Sequence, residues 1–157
     1  MLASEAAMIN PTIAKFGHPK TLVRDYEHWV VLLRPQQVTA GSLILAAKSD
    51  AIAYGQLPQE AFIEQALVVA EIESTLSSAV AFERINYLML MMVDPHVHFH
   101  VIPRYSGIRS ISGIDITDQG WPGLPDLKSA VPLDDAAIVR GVEAIASLWS
   151  LSKTNFG

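Results

Sequence analysis

The feature that most constrains this chain is the run Asp94-Pro95-His96-Val97-His98-Phe99-His100-Val101-Ile102-Pro103-Arg104-Tyr105. Histidines recur there at i, i+2 and i+4. In an extended strand alternate side chains share a face. His96, His98 and His100 are therefore expected on one face, about 6.8 Å apart at each two-residue step. Val97, Phe99 and Val101 then fill the opposite, buried face. A helix would scatter the same rings around its axis. Imidazole changes charge nearest neutral pH, so it serves as nucleophile, acid or base with little tuning. A lone histidine is usually a bland core or surface residue. Three on one strand face crowd polar rings in a way that packing alone does not call for. Two chemistries stay open: a metal site, or a metal-free phosphate site.

The metal reading rests on His-x-His pairs being common zinc ligands on strands, with Asp94, Asp50 or His28 needed to complete a site. Against it, imidazoles on a flat strand point in parallel, and the first and third lie about 13 Å apart. No bound metal or cofactor is expected to be needed.

Size and charge narrow the classes. A chain of 157 residues, half of them apolar, suits one domain with an adequate core and is too apolar for disorder. No apolar run has transmembrane length. The segment 1–8 is short of basic residues and carries Glu5, so it does not read as a signal peptide. Zero cysteines exclude disulfides and thiolate zinc sites, which leaves the cytoplasm as the default location. A net charge of −5 disfavours nucleic acid and anionic membranes as partners, while a small anionic ligand needs only a local positive pocket.

Along the chain, residues 1–19 predict at most a short helical turn. Thr21–Tyr26 and Trp29–Arg34 read as a hairpin, with His28 a surface residue at its turn. Residues 35–41 form a loop, and Ser42–Ala47 a buried third strand. Pro58 opens a long helix with Phe62, Ala66, Val69, Ile72, Leu76 and Val80 on its apolar stripe. Glu60, Glu64, Glu71 and Glu73 fall on its solvated side. Arg84–Val93 reads as a central strand, joined by a tight turn at Asp94-Pro95 to the histidine strand beside it. Residues 106–133 form a long loop, of the kind that is usually functional or ordered against something. Asp134 caps a last helix with Ile138, Val142, Ile145 and Trp149 on one face. Strands and helices are segregated, so the expected class is α+β: about five antiparallel strands, with the helix from Pro58 to Val80 across one face.

The run His96-Val97-His98-Phe99-His100-Val101-Ile102, followed by Pro103-Arg104, resembles the signature of the histidine triad (HIT) superfamily. The order of elements over about 20–105 is similar too. Asn86, and Trp121-Pro122 beyond the strand, resemble bacterial members related to dinucleoside polyphosphate hydrolases. The resemblance implies a single HIT-like domain over 1–157, with its core at about 20–105 and a C-terminal loop and helix at 106–157. It implies a nucleotidyl hydrolase or transferase acting on the α-phosphorus of a nucleoside phosphate, a phosphoanhydride or phosphoramidate. His98 would attack, His100 would contact phosphate oxygens and the leaving group, and His96 would support the attacking ring. Asn86, Arg104 and, in place of a ribose-holding Asp, Gln36 or Gln37 would bind substrate. Arg104 and Arg109 offer fork-shaped phosphate contacts. A homodimer is implied as well.

The sequence departs from the common pattern in two further places. Gly41-Ser42 stands where many members have Gly-His. The apolar Leu90-Met91-Met92-Val93 replaces a polar phosphate loop, a role left to residues 106–133. Two alternatives of other classes accompany this reading: a nucleotide-binding or regulatory module with little turnover, and a zinc-dependent hydrolase.

Overall fold

Two strands carry the centre of the molecule: β2 (Trp29–Leu33) and β4 (Leu43–Ala47), every residue of which is buried. The computed structural model describes residues 9–156, with side chains described to Trp149. Chain order adds α1 (Pro11–Lys15), β1 (Leu22–Asp25) and β3 (Gln36–Gln37). After β4 come a 3₁₀ turn (Tyr54–Gln56), α2 (Gln59–Val80), β5 (Arg84–Leu88) and β6 (His98–Arg104). The C-terminal part holds β7 (Ile108–Ile111), β8 (Ile114–Thr117), β9 (Val131–Pro132) and α3 (Asp135–Phe156).

The main sheet has five strands in the order β1-β2-β4-β6-β5, with every neighbouring pair antiparallel. The α+β class expected from segregated strands and helices is what the chain adopts. Because side chains alternate, one face presents Trp29, Val31, Leu33, Leu43, Leu45 and Val101 to α2 and α3. Val68, Ile72, Leu76, Val80, Ile138, Ile145 and Trp149 meet them from the helices. The other face presents Val30, Leu32, Ile44 and Ala46, which Ile13 of α1 covers. Burial from both sides explains why β2 and β4 read as continuous apolar runs rather than alternating ones.

Several expectations need correction. The strand beginning at Arg84 ends at Leu88 and lies at the sheet edge, not its centre. Residues 89–97 form an irregular connection to β6 instead of a tight turn, and Met92 is 85% exposed. Continuing the β5–β6 register would set Val93 against Pro95, which has no N–H to give to a ladder. The stripe of α2 is rotated: Phe62 and Ala66 are exposed, while Ala61 and Val68 are buried. The Trp29 indole donates to the Ala61 carbonyl at 2.7 Å and sets that rotation. Glu71 is buried rather than solvated, accepting from Tyr26 Oη at 2.6 Å and Trp149 Nε1 at 2.9 Å. Glu64 accepts from the backbone N–H of His28, which is half-buried.

The stretch 106–133 is not a plain loop. It folds into the β7–β8 hairpin, and β9 pairs with β3 in the segment expected to be loop. Gly41 turns the chain into β4 at φ +87°, with room for a Cβ only 3.3 Å from Leu76 Cδ2. That is why glycine occupies the position. Asp134 does cap α3, its Oδ1 accepting from the Ala137 N–H at 2.8 Å. No helix among the described residues is long and apolar enough to cross a membrane.

Candidate active site

β6 lies between β4 and β5, pairing Ala46 with His98, Ile44 with His100 and Leu88 with His100. Directly paired residues share a face, so His98 and His100 stand beside Ala46 and Ile44, on the side that α1 covers. A helix of five residues has no stability of its own. Tertiary contacts hold it. Asn10 caps it through Ile13 N and donates its amide to the Ala47 carbonyl at 3.0 Å and the Ser49 carbonyl at 3.1 Å. Thr12 Oγ1 lies 2.9 Å from His96 Nδ1, and Lys15 Nζ pairs with Asp94 at 2.6 Å. The Phe16 ring follows, its centroid 5.6 Å from that of His98 and 5.8 Å from that of His100. His98 is 0% exposed and His100 7%.

The hydrogen bonds fix the tautomers. His98 Nδ1 lies 2.7 Å from the His96 carbonyl oxygen. A carbonyl only accepts, so Nδ1 carries a proton, and in the neutral ring the lone pair is on Nε2. Among the described residues, His98 Nε2 is the buried side-chain nitrogen or oxygen without a hydrogen-bond partner. Native interiors satisfy such groups, so an orphan marks a position shaped for something else. In the neutral ring it is an in-plane lone pair on an oriented imidazole, the form a nucleophile requires.

His100 is arranged in reverse. Arg34 Nε donates to its Nδ1 at 3.3 Å, so the proton sits on Nε2 and the ring presents a donor. Burial, then the Arg34 charge, holds its pKa down at about 4. The ring is neutral at pH 7. His96 lies just before β6, and it supports His98 through its backbone carbonyl, while its own ring faces Thr12.

The remaining expected site residues fall in different places. Asn86 and Arg104 meet: Arg104 Nη1 donates to Asn86 Oδ1 at 2.8 Å. Arg104 is also paired with Asp118, Nε to Oδ2 at 2.7 Å and Nη2 to Oδ1 at 3.1 Å, and both side chains are buried. Gln37 is fully buried and spends its amide on the turn, donating to Arg34 and Ser42 carbonyls and accepting from the Gly41 and Ser42 N–H groups. Gln36 is exposed beside Arg34, whose Nη1 donates to its carbonyl. Arg109 closes the end of α2, donating to Val80 and Ala81 carbonyls and stacking on Tyr105. Asp94 is engaged by Lys15. Among the described residues, the histidine and carboxylate atoms that converge are those of Glu27, His28 and Glu64, a group outside the triad.

Three residues beside the triad were not anticipated: Arg34, Phe16 and Thr12. Arg34 had a signal, since Val30, Leu32 and Arg34 share parity on one strand. Phe16 and Thr12 had none, because only tertiary docking of α1 brings them there.

No protein-family model matches the chain, and no curated protein matches it. Solved structures do. A histidine triad (HIT) protein of Sinorhizobium meliloti 1021 is 18% identical, with a TM-score of 0.69 over 88% of this chain and 94% of its own. A hypothetical histidine triad nucleotide-binding protein of Sulfolobus tokodaii strain7 is 18% identical, with a TM-score of 0.68 over 87% and 88%. A histidine triad protein of Marinobacter aquaeolei VT8 is 20% identical, with a TM-score of 0.65 over 90% and 95%. At such identities likeness speaks to architecture, and by architecture this chain has the fold of the histidine triad proteins.

Proposed function

We propose that this protein is a nucleotidyl hydrolase or transferase of the histidine triad type, acting at the α-phosphorus of a nucleoside phosphate through His98. The observation that carries the reading is the orphaned, buried Nε2 of an imidazole whose Nδ1–H is held by the His96 carbonyl. In the first step the Nε2 lone pair forms a bond to phosphorus, and the bond from phosphorus to the leaving group breaks, its electron pair leaving with that group. The positive charge gained by the ring is stabilised through Nδ1–H on the His96 carbonyl. His100 Nε2–H donates to a phosphoryl or leaving oxygen. In the second step water attacks phosphorus, the bond to Nε2 breaks, its pair returns to the ring, and one water proton passes to solvent.

A nucleoside has somewhere to sit. The space we assign to it is a cavity of about 1060 Å³ beside α1, lined by Ile13, Leu22 and Val30 together with His18, Lys48 and the carboxylates Asp25, Glu27 and Asp50. Phe16 must yield for phosphate to reach His98, since both rings beneath it are buried. Quenching during turnover with a nucleotide substrate and mapping the acid-labile adduct tests the reading. An adduct on the peptide containing His98 is the expected result. Tight AMP binding with no adduct on any nucleotide substrate supports a binding module instead.

The protein is read as a homodimer. β5 is an unpaired edge, and α2 turns Phe62, Ile63 and Leu67 to solvent, an apolar face suited to a second copy. Light scattering at micromolar concentration should give twice the chain mass, and Leu67→Glu should return it to one.

A further inference from the structure

A phosphate at His98 calls for a cation, and the cavity beside α1 does not supply one. That cavity is lined by Asp25, Glu27 and Asp50 as well as Lys48 and His18. Lys48 pairs with Asp25 at 2.6 Å. Asp25, Val30, Ala46 and His98 are successive partners across four strands, so that pair lies about 14 Å from the nucleophile. His18 is held below its ordinary pKa, mainly by burial, and is neutral at pH 7. On the triad itself, Arg34 gives Nε to His100 and Nη1 to the Gln36 carbonyl.

Lys15 is placed differently. Thr12 and Lys15 share one face of α1 at i, i+3, and that face runs along the start of the histidine segment. Thr12 Oγ1 meets His96 Nδ1 at 2.9 Å, and Lys15 Nζ meets Asp94 Oδ1 at 2.6 Å. Phe16, the next residue, packs on both His98 and His100. Burial, Arg34 and His98 lower the His100 pKa, and the Asp94 carboxylate is near enough to oppose them. The Lys15 ammonium, in contact with that carboxylate, thus sits at the edge of the phosphate site.

Its pairing is of the kind that exchanges. The Lys15 side chain is 54% exposed, so the pair contributes little to stability. A lysine is a point charge on a flexible four-carbon stem, which changes partners without moving the backbone. A nucleoside monophosphate carries about two negative charges near pH 7.5, against one on Asp94.

We propose that Lys15 binds the substrate phosphate, and that Asp94 competes with the phosphate for it. In the closed protein the ammonium is held by Asp94; on binding it passes to the phosphate and leaves Asp94 to solvent. The proposal rests on the triad being the phosphate site of the function proposed above. AMP is titrated calorimetrically at pH 7.5 into the wild type, Lys15→Gln, Asp94→Asn and the double variant. Lys15→Gln should weaken binding about fivefold, and Asp94→Asn should tighten it about fivefold. Lys15→Arg should bind within about twofold of the wild type. In the Lys15→Gln background the gain from Asp94→Asn should fall below about twofold, because no ammonium is left to release. A pair with only a structural role gives losses of the same sign from both single variants. A pair that stays closed while phosphate binds gives an equal or larger gain from Asp94→Asn once Lys15 is gone, since the carboxylate is then unscreened. Either result, or AMP bound by none of the four proteins, overturns the proposal. An adduct on His98 alongside any of these results leaves the nucleophile standing. The expected shifts with no adduct from any nucleotide substrate uphold Lys15 and overturn the nucleophile.

Discussion

His98 Nδ1 and the His96 carbonyl oxygen lie 2.7 Å apart, two residues from each other on one chain, and this contact decides which nitrogen of His98 is basic. The supporting group is a backbone atom, so removing the His96 side chain leaves it in place. His98→Ala should lower turnover on the order of 10⁴-fold or more, as loss of a covalent nucleophile does. His96→Ala removes one hydrogen bond to Thr12 and should cost less than about tenfold. Parallel single-turnover rates check both, and comparable losses in the two variants would contradict the geometry.

His100 gives a pH signature in stability. Its folded pKa is held down at about 4, against 6.5 for the unfolded group, with burial the main cause and Arg34 next. Between those values the unfolded chain binds a proton that the folded chain does not. Stability therefore falls as pH drops from 6.5 toward 4, and the group contributes nothing above that window. The loss from this group is on the order of 3 kcal/mol. Urea titrations at pH 7.5 and pH 4.5 should show it in the wild type and show a smaller loss in His100→Gln. Equal losses would mean that the ring takes up its proton when folded.

Phe16 packs on the buried rings of His98 and His100. Phe16→Ala should speed modification of His98 by diethylpyrocarbonate, read by peptide mass, while a half-buried ring accounts for roughly 1–2 kcal/mol of stability. An unchanged modification rate would show that another group limits access.

Glu71 ties α2 to both β1–β2 and α3 through Tyr26 and Trp149. Burial and the Glu71 hydrogen bond push the Tyr26 hydroxyl well above its ordinary pKa, so it stays a donor. Glu71→Ala should destabilise by roughly 2–4 kcal/mol, Tyr26→Phe by roughly 1–2 kcal/mol, and the double variant by less than the sum. Denaturant midpoints for the four proteins complete the cycle, and additive losses would refute a shared network.

Much of this was legible from alternation and spacing. The period of two around His98 placed it and His100 on one face, and segregated strands and helices gave an antiparallel α+β sheet. Asp134 announced the start of α3. The rest required contacts distant in sequence. Glu71 looked solvated because helical periodicity cannot say that a tyrosine from β1–β2 and a tryptophan from α3 converge on it. The turn after Thr117 looked shapeless because a single buried pair, Arg104 with Asp118, organises it.

The sequence alone determined the local terms: which residues alternate, where proline stops a ladder, where glycine turns the chain, and that imidazoles cluster on one strand. Those follow from backbone geometry over a few neighbouring residues. Tertiary structure alone decided the chemistry of each ring. Arg34, from the end of β2, made His100 a donor, the buried carbonyl of His96 left His98 a lone pair, and docking of α1 set Phe16 over both. A tautomer depends on what faces each nitrogen, and what faces it comes from segments far apart in the chain.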